Sequence, residues 1–277
     1  MRRHTAWEFT DDFERELGIL ELKSANPGTG LEGRMAQEIH YAFLHGGGQA
    51  GWVWQETLAA LDQQYGSTGY RGIAFDLPGC GRKRGLDTSH LSVRQVAEAF
   101  ASDLAASGLS RIVLVGHSNA GTIMPLIAEF LPQLIQHFIY VSCLAPAPGQ
   151  SVRELMNSGA HPIGGQSGDS LTRLRTMFCN DMDEATASRF VAKLGHDKWP
   201  TLQALEENVW RYDHLQARKA TYVLCLRDQT LSPEWQQQFA SRFHVRRVVR
   251  IDAGHQVMNT RPHALAEILR HEAVSQG

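Results

Sequence analysis

Cysteine is scarce and badly placed for a structural job. The four thiols of this 277-residue chain (Cys80, Cys143, Cys179 and Cys225) are scattered without C-x-x-C spacing, so neither a disulfide framework nor a thiolate metal site is expected. Cys143 and Cys225 stand in apolar runs and read as reduced core residues, as in a cytoplasmic protein. Long hydrophobic runs are also missing. No stretch approaches the roughly 18–20 residues that span a bilayer, so no membrane partner is expected. Arg2 and Arg3 open the chain, but the acidic stretch HTAWEFTDDFERE follows them where a signal peptide needs an apolar segment. Surplus charge is absent as well. A formal net charge of −2 offers no electrostatic reason to bind nucleic acid or an anionic surface. The basic clusters Arg82-Lys83-Arg84 and Arg246-Arg247 are too short to count as more than solvated faces. No internal repeat or low-complexity tract appears.

What the chain does contain is an alternation. After the strand-like GILELKSAN and the turn NPGTG, EIHYAFLHGGG reads as strand into glycine loop and VWQETLAALDQQY as helix. YRGIAFDLPGCG, SVRQVAEAFASDLAASG, RIVLVGHS, GTIMPLIAEFLPQLI and HFIYVSCLAP continue strand, helix, strand, helix, strand. Apolar strands alternating with amphipathic helices imply right-handed crossovers and a parallel sheet covered on both faces, an α/β fold. The rhythm stops near Ala145. SVRELM, SLTRLRTMF, DEATASRFVAKL and TLQALEENVWRY all read as helix. It resumes with strand ATYVLCLRD, helix PEWQQQFASRF, strand VRRVVRIDAGH and helix RPHALAEILRHEAV. The expected organisation is a core of residues 1–144 and 219–277 with a helical cap, 145–218, over the carboxyl edge of the sheet, where open α/β sheets bind ligands.

One strand end carries chemistry. IVLVGHSNAG passes from strand to helix through Gly116-His117-Ser118-Asn119-Ala120, with small residues two before and two after the serine. Such a turn brings its two arms nearly into contact and projects Ser118 above the sheet edge, at a helix N-terminus. A serine hydroxyl needs a base, and the base needs an orienting acid. Thirteen histidines make any one of them uninformative, but His255 stands just past the last strand after a glycine. Asp228, at the end of YVLCLRD, is the acid expected. Asp252 competes, but it precedes His255 by three residues on one element and is poorly placed to reach round to the imidazole. The end of the strand at 138–143 carries no carboxylate. For an oxyanion, LHGGGQAGW supplies close backbone approach: the N–H of Gly47 (or Gly48, one residue on) and that of Asn119 are the expected donors.

With HGGGQAGWVW, FDLPGCGRK, VLVGHSNAG, HFIYVSCLAPAPGQS, YVLCLRD and IDAGHQVM in hand, the chain from Glu38 to Ala273 resembles the α/β-hydrolase superfamily. Within it the resemblance is to small esterases related to plant hydroxynitrile lyases and methyl-ester esterases. It implies a mostly parallel, doubly wound sheet with the helical cap inserted between strands 6 and 7. It also implies a Ser118/His255/Asp228 triad, an oxyanion hole of Gly47 and Asn119 N–H groups, and no cofactor. Four positions depart from the pattern. Cys80 replaces a histidine after DLP, and Lys83 stands where a small residue is usual. Ala120 replaces a glycine, and Gln256 stands where the lyases carry lysine, which argues against cyanohydrin chemistry. Ser118 excludes the aspartate-nucleophile branches.

Two near-motifs carry nothing. GCGRKRG lacks the third glycine of a phosphate loop, and RHEAV lacks the second histidine of a metal-binding helix, so no metal is expected. His45, Gly48, Met177, Trp199, Trp210 and Val257 are candidate pocket residues, while Trp52 and Trp54 read as scaffold. The expected function is a serine hydrolase of a small carboxylic ester or lactone. Two alternatives stay open: a cofactor-independent lyase or oxygenase using His255 and Asp228 as base, and a hydrolase-derived ligand receptor. The expected partners are a small-molecule ester or lactone substrate and, in a homodimer, a second copy of the chain.

Overall fold

A computed structural model describes residues 38–66, 69–158 and 170–274. The strand read at GILELKSAN lies outside these residues. Six strands form one sheet in the order β2-β1-β3-β4-β5-β6. They are β1 (Ile39–Leu44), β2 (Tyr70–Phe75), β3 (Ile112–His117), β4 (Ile135–Val141), β5 (Ala220–Cys225) and β6 (Arg247–Ile251). Every neighbouring pair is parallel.

Strand periodicity divides the core into two layers. Ala42, Leu44, Ile112, Leu114, Phe138, Tyr140, Tyr222 and Leu224 point into one layer, and Tyr41, Phe43, Val113, Val115, Ile139, Val141, Val223 and Cys225 into the other. Successive residues alternate faces and both faces are buried, so these strands are apolar throughout rather than every second residue. Helices α1 (Gln55–Tyr65) and α10 (Pro262–Val274) supply Leu61, Leu265 and Leu269 to the second layer. Helices α2 (Val93–Ala106), α3 (Met124–Phe130) and α8 (Pro233–Arg242) supply Phe100, Ile127 and Phe239 to the first. The sheet is doubly wound, as expected. Counted among the described residues, the helical insertion enters between β4 and β5. All four cysteines are free and buried.

The insertion holds α4 (Val152–Asn157), α5 (Ser170–Cys179), α6 (Glu184–Lys193) and α7 (Leu202–Glu206), and α9 (Val257–Thr260) follows β6. Local chemistry starts these helices. Ser151 and Glu154 form a reciprocal capping box on α4, and Asp183 and Thr201 cap α6 and α7. Two helices are shorter than their sequence pattern. The stretch GTIMPLIAEFLPQLI yields α3 only to Phe130, because Leu131 precedes Pro132 and is held out of the helical region at φ −127°, ψ 55°. Helix α7 stops at Glu206. Glu207 turns extended and its carboxylate accepts the Val93 N–H at 3.0 Å, capping α2 instead of prolonging its own helix.

Candidate active site

The turn after β3 is built by what glycine leaves out. A Cβ on Gly116 would stand 2.2 Å from Met124 Sδ and 3.0 Å from Ala120 Cβ, and one on Gly121 would stand 2.1 Å from the Leu144 carbonyl oxygen. Only bare backbone lets the strand, the turn and the segment after β4 meet this closely. Ser118 takes the strain, with φ +53° in the left-handed region that side chains disfavour. Its carbonyl accepts the Leu144 N–H at 3.1 Å, which pins the turn from beneath. Its hydroxyl remains half-buried while both flanking residues are buried.

Ser118, His255 and Asp228, chosen from three strand ends, come together. Ser118 Oγ lies 3.0 Å from His255 Nε2, and His255 Nδ1 lies 2.7 Å from Asp228 Oδ2. Both the imidazole and the carboxylate side chains are fully buried. Asp228 folds its own loop about itself: Oδ1 accepts the N–H groups of Thr230 (2.7 Å) and Leu231 (2.8 Å). Gln236, also buried, bonds Cys225 N–H, Cys225 O and Leu231 O, holding that loop from α8. Asp252 is elsewhere. It is largely exposed and pairs with Arg227 Nε at 2.7 Å. The arrangement can pass a proton from a hydroxyl to an imidazole while a buried carboxylate faces the resulting charge.

Sequence reasoning missed Ser142. It ends the strand dismissed for lacking a carboxylate, yet its Oγ donates to Asp228 Oδ2 at 2.5 Å and lies 3.4 Å from His255 Nδ1. No local motif marks it, because its partner lies 86 positions away. Ser142 also holds a positive φ, +42°.

The glycine loop after β1 lies against this turn. A Cβ on Gly46 would stand 3.0 Å from Ser118 Cβ, and one on Gly47 would stand 3.7 Å from Asn119 Cβ. Gly47 and Asn119 are thus neighbours across the serine. Gly48 is not an alternative donor, because its N–H is spent on the Trp199 carbonyl at 2.7 Å. His45 is not a pocket residue in its polar atoms either. It is fully buried, with Nδ1 donating to Gly46 O (2.8 Å) and Nε2 accepting Leu77 N–H (3.2 Å). Burial lowers its pKa, and the two bonds fix one neutral tautomer that braces the loop.

The other pocket candidates divide. Met177 and Phe178, at the end of α5, are half-buried, and the Phe178 ring lies 5.6 Å from that of His255. Trp199 is buried in the core and serves the loop through its carbonyl. Trp210 is buried too, its indole N–H bonded to Gln150 O at 2.8 Å within the insertion. Val257 belongs to the apolar layer beneath α9. Gln256 beside it is fully buried with neither amide atom hydrogen-bonded. His117 is held neutral well below the ordinary histidine pKa, first by burial and then by the neighbouring His255 charge. Its Nε2–H donates to the His255 carbonyl at 3.0 Å. Among the described residues no group of three or more His, Cys, Asp or Glu is arranged to hold a metal ion.

Comparison with known proteins follows the same outline. Residues 42–268 match the family model described as the alpha/beta hydrolase family. The carbendazim-hydrolysing esterase of Nocardioides sp. (strain SG-4G) is 23% identical over 247 residues, covering 83% of this chain and 98% of its own. Methylesterase 10 of Arabidopsis thaliana is 24% identical over 259 residues, covering 84% and 91%. Among solved structures, an extracellular α/β-hydrolase from a Paenibacillus species, described as homologous in structure and function to tobacco salicylic acid binding protein 2, superposes with a TM-score of 0.70. It is 17% identical, with 85% of this chain and 99% of that chain covered.

Proposed function

The chain belongs to the alpha/beta hydrolase family, and from that premise we propose that it is a serine hydrolase cleaving a small carboxylic ester or lactone through an acyl-enzyme on Ser118. The observation that carries the reading is the unbroken relay from Ser118 Oγ (3.0 Å) through His255 to Asp228 (2.7 Å) beneath a half-exposed hydroxyl. The esterase names borne by the relatives support the same substrate class.

In the proposed reaction His255 Nε2 takes the Ser118 proton as Oγ attacks the ester carbonyl, and Asp228 faces the imidazolium that forms. The oxyanion is held by the N–H groups of Gly47 and Asn119. Asn119 opens the helical turn, where backbone N–H groups have no intrahelical partner, and Gly47 faces it across the serine. The tetrahedral intermediate collapses as His255 returns the proton to the departing alkoxide. Water then repeats the sequence on the acyl-enzyme, with His255 as base, and regenerates the Ser118 hydroxyl. Neutral His117 adds no positive charge beside the imidazolium. The helical insertion acts as a cap, with the Phe178 ring on its inner side against His255.

The test is hydrolysis of short-chain and aromatic p-nitrophenyl esters and of lactones by the wild type and by Ser118→Ala. Turnover by the wild type that falls on the order of 10³-fold or more in the variant supports the reading. Turnover indifferent to Ser118 overturns it. No turnover on the panel, combined with oxygen uptake on hydroxylated heteroaromatics, favours the cofactor-independent chemistry.

A further inference from the structure

The turn that ends α5 reaches across to both loops of the relay. Asn180 Nδ2 donates to the Arg227 carbonyl at 2.7 Å, and Asp181 Oδ2 accepts the Gly254 N–H at 2.8 Å. Arg227 immediately precedes Asp228, and Gly254 immediately precedes His255. The two loops are also tied to each other: Arg227 N–H donates to the Ala253 carbonyl at 2.9 Å, and the Arg227 guanidinium pairs with Asp252. A third contact comes from the same stretch, where Thr230 Oγ1 donates to the Met177 carbonyl at 2.8 Å.

Asp181 is an expensive way to attach a helix. Its side chain is 1% exposed, its nearest cation, Arg227, is 3.8 Å from Oδ2, and Oδ1 has no hydrogen-bond partner. Burying a carboxylate so thinly satisfied is unfavourable, and an apolar residue would seat the insertion at lower cost. The contact is also intimate. A Cβ on Gly254 would stand 2.4 Å from Asn180 Oδ1 and 2.5 Å from Asp181 Oδ1, so the residue before His255 must be glycine for this turn to dock.

We infer that Asn180 and Asp181 are positioning residues that align His255 with Asp228 through the backbone preceding each of them. Relay geometry then depends on the seating of the helical insertion. A displacement of either loop lengthens the 2.7 Å bond between His255 and Asp228 or the 3.0 Å bond to Ser118, and a misplacement of about 1 Å can cost about 10²-fold in rate. The kinetic half of the test rests on the hydrolase reading above; the spectroscopic half does not.

The experiment compares Asp181→Ala, Asp181→Asn and Asn180→Ala in the full chain. Asparagine keeps an oxygen acceptor for Gly254 N–H at the same volume, and Asn180 is exposed enough that alanine there leaves the fold intact. The substrate-free readout is the low-field proton resonance of His255 Nδ1–H, identified by its loss in His255→Gln. The expected result is a shifted or broadened resonance in both alanine variants, with kcat down about 10–100-fold, KM within about threefold, and both properties restored in Asp181→Asn. An unchanged resonance and kcat with only a lower melting temperature overturns the inference, as does an asparagine variant as impaired as the alanine. If the wild type hydrolyses no ester, the hydrolase reading fails while the resonance alone still decides the positioning role.

Discussion

Ser142 and His255 donate to the same oxygen of Asp228. The hydroxyl approaches Oδ2 at 2.5 Å and the imidazole Nδ1 at 2.7 Å, while the other carboxylate oxygen is filled by two backbone N–H groups. Asp228, 2% exposed, is therefore hydrogen-bonded at both carboxylate oxygens. Hydrogen bonds to a charged group contribute about 1.5–3 kcal/mol, so the serine is a substantial part of what keeps this carboxylate in place.

Loss of that hydroxyl should be separable from loss of fold. Ser142→Ala removes the donor and keeps the disfavoured φ of +42°, whereas Ser142→Gly removes the donor and suits the backbone. Both variants should lose about 10-fold or more in kcat on a p-nitrophenyl ester, with KM nearly unchanged. Thermal melting should show the glycine variant as the more stable of the two. Equal activity in wild type and Ser142→Gly would remove Ser142 from the site.

The two candidate acids should respond very differently. Asp228→Asn leaves the shape but cannot face an imidazolium with charge, and kcat should fall on the order of 10³–10⁴-fold. Asp252→Asn breaks only a largely exposed pair with Arg227 and should stay within a fewfold of wild type, since such pairs contribute about 0–1 kcal/mol. Steady-state kinetics of the two variants decides. A reversal would move the acid to Asp252.

Much of this was legible in the sequence, for definite reasons. β3 shows itself because Ile112–Val115, buried on both faces, form an unbroken apolar run, and the serine turn because its two arms come into contact at the small residues Gly116 and Ala120. Asp228 and His255 could be chosen because parallel strands deliver their carboxyl ends to one edge. What stayed hidden depends on pairs far apart in the chain. Ser142 matters only through Asp228, and Asn180 and Asp181 only through backbone groups of Arg227 and Gly254. The pocket candidates suffered likewise: the His45 ring nitrogens and the Trp199 carbonyl brace the glycine loop, through partners that no local pattern records. The ends of α3 and α7 were set by Pro132 and by a tertiary cap on Val93, neither of which periodicity records.

The turn makes a prediction about glycines. Gly116→Ala meets the end of a flexible Met124 side chain at 2.2 Å, while Gly121→Ala meets a backbone carbonyl at 2.1 Å. The first should cost about 1–3 kcal/mol, typical of overpacking, and should be partly relieved in a Gly116→Ala, Met124→Ala double variant. The second has no side chain to move aside and should be the more destabilising. Urea denaturation of the three variants measures the order, and a Gly121→Ala chain as stable as Gly116→Ala would contradict the packing described for this turn.

Acid should unfold this protein early, through its buried histidines. Burial is the largest cause in each case. It lowers His45, drives His117 well below the ordinary histidine range, and takes His137 down to about 4 with help from nearby Lys219. In the unfolded chain each would titrate near 6.5. Between pH 6.5 and 4 the unfolded state therefore binds protons that the folded state refuses, and stability must fall as pH falls through that window. His137 alone, buried with Nε2 on Thr221 Oγ1 at 3.0 Å, would contribute about 3 kcal/mol of this loss. Glu272 acts at lower pH and for the opposite chemical reason. Burial alone would raise its pKa, but hydrogen bonds from Arg247 and Thr221 hold it below the usual carboxylate value, so its stabilisation disappears only as it protonates. Denaturation midpoints at pH 7.5, 6.5, 5.5 and 4.5 should be level at first and then drop, with more than one proton taken up on unfolding near pH 5. His137→Gln, which keeps a side-chain N–H for Thr221, should lower that uptake by close to one proton. A profile that stays level to pH 5 would mean that these histidines are not held neutral in the folded protein.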